Sequence, residues 1–87
     1  MTTDEFNEKY KDYLSPGHYG MSIEIPEVID LVDRKFEEWS KLPGFHYTQV
    51  KLKFGMSRVY ADADGVILQT SALEHEIDKI LKTNIIR

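Results

Sequence analysis

The residues best suited to chemistry lie in one stretch, "TQVKLKFGMSRVY", residues 48 to 60. Two lysines and an arginine recur there beside aromatic residues, and no acid occurs between Trp39 and Ala61. Successive side chains of a β-strand point to opposite faces. Tyr47, Gln49, Lys51 and Lys53 therefore read as one face of a strand, and Thr48, Val50, Leu52 and Phe54 as the other. A second strand folding back adds Arg58 and Tyr60 to the first face. Rings that stack bases, next to cations that hold phosphates, are what a single-stranded nucleic-acid site needs. The same surface can dock a protein, and it can equally be the solvated side of an antiparallel sheet. The candidate binding residues are thus Tyr47, Lys51, Lys53, Arg58 and Tyr60.

Other chemistry finds less support. The three histidines, His18, His46 and His75, have no i, i+4 spacing and no HExxH pattern, so they do not read as a zinc site. A hydrolase built on one of them needs a carboxylate partner in a shared pocket. Asp64-Gly65 resembles the middle of a calcium loop. That alignment puts Tyr60 and Ser71 at the two ends, where carboxylates are required, so the pair reads as a turn instead. There is no cysteine, hence no disulfide framework and no thiolate metal site. No phosphate-binding glycine loop or nucleophile elbow is present. The expectation is a chain with no cofactor, no metal and no catalytic constellation.

The elements that position this stretch follow from periodicity. Thr2 and Glu5 have capping-box spacing, and Phe6, Tyr10, Tyr13 and Leu14 form one stripe, which predicts a first helix over 3–14. Glu5 and Lys9 are spaced to pair on its outer side. Met21, Ile23 and Ile25 alternate with polar residues as an extended segment, and Pro26 suits the first turn of a second helix. Val28, Val32, Phe36 and Trp39 give that helix its buried line, and "KLPG" ends it. Gly55-Met56 fits a type II′ hairpin turn, which sets Leu52 opposite Val59 and Val50 opposite Ala61. Asp64-Gly65 fits a second hairpin, which pairs Ala61 with Leu68 and Tyr60 with Gln69. Both turns place Val59, Ala61 and Leu68 on one inner face. A last helix starts at the Ser71–Glu74 capping box, carries Leu73, Ile77, Ile80 and Leu81, and ends near Thr83-Asn84. Ile85-Ile86 form an apolar tail that packs or meets a partner. The predicted fold is a single α+β domain over 1–87: a three-stranded antiparallel meander with helices on one face, in the order α-α-β-β-β-α.

At Gln49, Val50, Lys51, Lys53, Phe54, Gly55, Arg58 and Tyr60 the chain resembles a hairpin found in uncharacterised small proteins of phages and bacterial mobile elements. That resemblance spans about fifteen residues. It implies no enzymatic activity and points to an accessory protein of phage or prophage origin.

Composition narrows the remaining classes. The net charge of −4 argues against a general attraction of the whole molecule to nucleic acid or anionic lipid. The charge is uneven: residues 1–38 carry ten acids and four bases, and residues 39–87 carry five acids and seven bases. No apolar run exceeds three residues, too short for a membrane span. The polar, acidic start does not read as a signal peptide. A cytoplasmic macromolecule-binding module is expected, with another protein or a second copy as partner and no membrane. Single-stranded nucleic acid is the alternative partner.

Overall fold

A computed structural model describes the backbone of residues 1–86 and the side chains of residues 1–83. The fold is α+β. Helix α1 (Thr3–Lys9) and a short 3-10 helix (Lys11–Tyr13) lead into strand β1 (Gly20–Met21). Helix α2 (Pro26–Trp39), strands β2 (His46–Lys53) and β3 (Met56–Asp62), and helix α3 (Thr70–Ile86) follow. The sheet order is β1-β2-β3. β1 runs parallel to β2, and β2 antiparallel to β3, so the sheet is mixed and not the antiparallel meander expected.

Local chemistry explains the helices. The Thr2 hydroxyl accepts from the Glu5 amide at 3.1 Å and the Glu5 carboxylate accepts from the Thr2 amide at 2.8 Å, completing the capping box. Glu5 is thereby committed to the cap, and Lys9 reaches Asp33 and Glu37 of α2 instead of Glu5. The predicted first helix tightens after Lys9. That turn brings Leu14 into a bridge with Tyr47 and lets the Ser15 amide donate to the Tyr47 carbonyl at 2.9 Å. Pro26 opens α2, whose Val28, Ile29, Val32, Phe36 and Trp39 are all buried. Phe36 is the hub of the core: the ring centroids of Phe6, Tyr10, Trp39, Phe45 and Tyr47 all lie within 5.0 to 5.8 Å of its own. Such tilted and edge-on pairs add to the simple burial of their area.

The third strand is where sequence and structure part. Ala63 bridges Val66 around Asp64-Gly65, but pairing stops there. Leu68 still packs against the core, as its alternation predicts. The reason is competition for the open edge of β3. Helix α3 lies along that edge, and Asp78 Oδ1 accepts from the Ser57 amide at 2.8 Å while Glu74 Oε2 accepts from the Val59 amide at 2.7 Å. The Ser57 hydroxyl also donates to the Glu74 carbonyl at 3.0 Å. A returning strand would need the same amides. The Glu74 carboxylate is engaged with β3 and not with the first turn of its own helix, so α3 starts at Thr70 without the Ser71 box. It also continues past Thr83-Asn84, to Ile86. The side chains of Ile85 and Ile86 lie outside the described residues.

The opposite edge is closed the same way. Asn7 Oδ1 accepts from the Met21 amide at 2.8 Å, and Asn7 Nδ2 donates to the Met21 carbonyl at 3.1 Å. This is the bonding of a neighbouring strand, supplied by one helical side chain. Gly20 permits the approach: a Cβ there would lie 2.6 Å from Asn7 Oδ1, and its φ of +74° is in the left-handed region.

The α1–α2 tie is electrostatic. Lys9 Nζ lies 2.8 Å from Asp33 and 2.6 Å from Glu37, and the Tyr10 hydroxyl donates to Asp33 Oδ1 at 2.6 Å. Burial alone would raise the Asp33 carboxyl. The bonds from Lys9 and Tyr10 outweigh it and hold the group below the usual aspartate value. The folded chain then binds fewer protons than the unfolded chain near pH 4, so stability rises with pH there. The contribution is complete above the unfolded aspartate value of about 3.9 and is lost as pH falls through the lower folded value. Asp33→Asn should therefore flatten the acid limb of a denaturation free energy measured against pH, and lower its neutral plateau. An acid limb as steep in the variant as in the parent would contradict this assignment.

Candidate functional site

The β2–β3 hairpin carries the site. Its observed register sets Lys53 opposite Met56, Leu52 opposite Ser57, Lys51 opposite Arg58, Val50 opposite Val59 and Gln49 opposite Tyr60. The two-residue turn is Phe54-Gly55, one position earlier than the Gly55-Met56 turn expected. Both turn residues have positive φ, 55° and 76°, as a type I′ turn requires. The register that wins buries Val50 against Val59. It also delivers Ser57 and Val59 to the carboxylates of α3. A shift of two residues in pairing keeps every side chain on its own face, so Lys51, Lys53, Arg58 and Tyr60 still share the outer one.

Tyr47 does not join them. Tyr47 pairs with Ala61 and Gln49 with Tyr60, leaving Thr48 as an extra residue in a β-bulge. The bulge slips the alternation by one and turns Tyr47 into the core, where it is fully buried beside Phe6 and Phe36. Its hydroxyl has no hydrogen-bond partner among the described residues, and burial pushes it up to about 12. Strict alternation missed this. The aromatic surface expected on the outer face is reduced to Tyr60, which is 44% exposed.

The cations are as placed by the sequence. None of Lys51, Lys53 and Arg58 forms a salt bridge among the described residues. Lys51 Nζ sits 5.8 Å from the Tyr60 ring centroid and Lys53 Nζ 5.9 Å from that of Phe54. Arg58 Nη1 donates to its neighbour's carbonyl, Ser57 O, at 2.9 Å. Lys51 and Arg58 are directly opposed, an arrangement that costs stability for like charges on a sheet.

The tip is the part that sequence reasoning assigned to the wrong environment. Phe54, expected on the inner face, is 93% exposed, and its flanking Leu52 and Met56 are 46% and 51% exposed. Beside them a cleft of about 360 Å³ opens between the tip and α3, lined by Gly55, Met56, His75, Leu81 and the charged Asp78, Lys79 and Lys82. The glycine alone does not decide between the turns, because Gly55 suits the second position of a type I′ turn and the first position of a type II′ turn equally.

The histidines do not converge. His18 lies in the loop before β1, His46 at the start of β2 and His75 on α3. His46 and His75 line different clefts. No group of three or more His, Asp or Glu side chains able to hold a metal occurs among the described residues. Among them no helix is long and apolar enough to cross a membrane. No protein-family model, curated protein or solved structure matches this chain.

A non-glycine residue in left-handed backbone costs roughly 1 to 2 kcal/mol, and Phe54 recovers little of this by burial. Asn tolerates the conformation better. Phe54→Asn should therefore raise the unfolding free energy by about 1 kcal/mol, roughly 5 °C in Tm for a domain of this size. A thermal melt showing destabilisation would mean that the ring holds the hairpin together.

Proposed function

We propose that this chain is a small protein-interaction module that works through the β2–β3 hairpin. One observation carries the reading. A large aromatic side chain stands almost fully exposed at a strained turn position, between two further exposed apolar residues. Strain concentrated at an exposed site is a recognised mark of function, and aromatic side chains are enriched in the buried centres of protein interfaces. A cytoplasmic setting is part of the proposal, since a chain without cysteine asks for no oxidising compartment to fold. The hairpin's resemblance to small phage and mobile-element proteins supports an accessory role in such an element.

Single-stranded nucleic acid is the second reading. It is favoured by Lys51, Lys53 and Arg58 on one bare face with Tyr60 beside them. Burial of Tyr47 weakens it, because one ring is a poor stacking platform.

A photo-crosslinking residue at position 54, in cells that naturally make the chain, should yield a discrete protein adduct. The same residue at exposed position 67 should not. Equal backgrounds from the two positions would sink the reading. Tight binding of labelled oligo(dT) at low salt, lost in a Lys51→Ala/Lys53→Ala double variant, would replace it with the second one.

A further inference from the structure

The charge around the tip says what kind of partner fits. Lys51 and Arg58 face each other across the strands, Lys53 follows on the same face, and no acid occurs from residue 39 to residue 61. Lys79 and Lys82 line the adjoining cleft. Asp78 lines the same cleft and keeps its charge while its Oδ1 accepts from the Ser57 amide, so the two lysines there outnumber it by one. The tip is thus a cationic surface around an apolar centre.

We infer that the hairpin docks an acidic segment of another protein. Carboxylates on that segment pair with Lys51, Lys53 and Arg58, and an apolar residue packs on Phe54 and on Met56, which shares the cations' face opposite Lys53. The inference rests on the hairpin being an interaction site and adds the chemistry of its partner.

Two observations favour this occupant over the others. A second copy would have to present its own acidic half, where five of the ten acids are already paired: Glu8 with Lys11, Asp30 with the N-terminus, Asp33 and Glu37 with Lys9, and Glu38 with Lys35. A long polyanion would be repelled by the −6 carried by residues 1–38, and it would find a single exposed ring on the sheet face. A short acidic segment offers enough carboxylates for the three cations while adding far less like charge than a long polyanion.

Lys51→Glu makes the sharpest test. It converts a repelling cross-strand pair into an attracting one, so the fold should be at least as stable, and a thermal melt verifies this. A random dodecapeptide library displayed on phage and panned against the full chain should enrich peptides of net negative charge with at least one large apolar residue. Their affinity should drop about tenfold or more in Lys51→Glu and in Phe54→Asn, and several-fold between about 50 and 300 mM salt. Neutral or basic winners that still need Phe54 would overturn the acidic partner and leave the interaction hairpin standing. Winners indifferent to Phe54, or no winners at all, would overturn both. Tighter binding of oligo(dT), or of phosphatidylserine vesicles, than of any peptide would assign the cations to phosphate and overturn the proposal. A concentration-dependent dimer broken by Lys51→Glu would do the same in favour of a second copy.

Discussion

The architecture depends on how the sheet's two edges are closed. A three-stranded sheet exposes a row of amides and carbonyls on each outer strand, and such edges invite pairing with other chains. Here side chains of flanking helices supply the missing partners. Asn7 of α1 takes both the amide and the carbonyl of Met21, and Glu74 and Asp78 of α3 take the amides of Val59 and Ser57. The geometry suits the task. Residues four apart on a helix rise about 6 Å, and residues two apart on a strand advance about 6.8 Å, so one helix face can serve alternate amides of an adjacent strand. Hydrogen bonds to a charged acceptor are the stronger kind. Two acids on α3 thereby dock the helix, satisfy the edge and exclude a further strand.

Much else follows. With α3 on the β3 edge and α1 on the β1 edge, α2 fills the inner side and Phe36 becomes the hub of the aromatic core. The outer face of β2 and β3 and the turn between them are left to solvent. Lys51 opposite Arg58 and Phe54 in left-handed backbone are local departures from what folding alone favours, and both lie within eight residues of the hairpin. Departures of this kind gather at functional sites. The proposed role of the hairpin follows from that coincidence more than from any single residue.

The sequence made the helices and the outward cations legible because those depend on local pattern. The Thr2–Glu5 cap, the Pro26 start, the buried line of α2 and the alternation of Lys51, Lys53 and Arg58 are all readable from spacing. Three features depend on tertiary competition and were not readable. The bulge at Thr48 gives up one pairing to bury the Tyr47 ring, and alternation carries no mark of it. The choice between two hairpin registers turns on what α3 bonds, far along the chain. Glu74 had the spacing of a helix cap, and only packing reveals that a strand amide takes its carboxylate. The parallel pairing of Gly20-Met21 with Gln49-Val50 was equally hidden, since a two-residue strand leaves little pattern.

Amide hydrogen exchange tests the edge closure most directly. The amides of Met21, Ser57 and Val59 should exchange as slowly as those bonded within the sheet, although they point away from it. In Glu74→Ala, Val59 should lose most of its protection while the β2–β3 amides keep theirs. Edge amides that exchange in the parent as fast as the exposed loop amide of Gly17 would contradict the account.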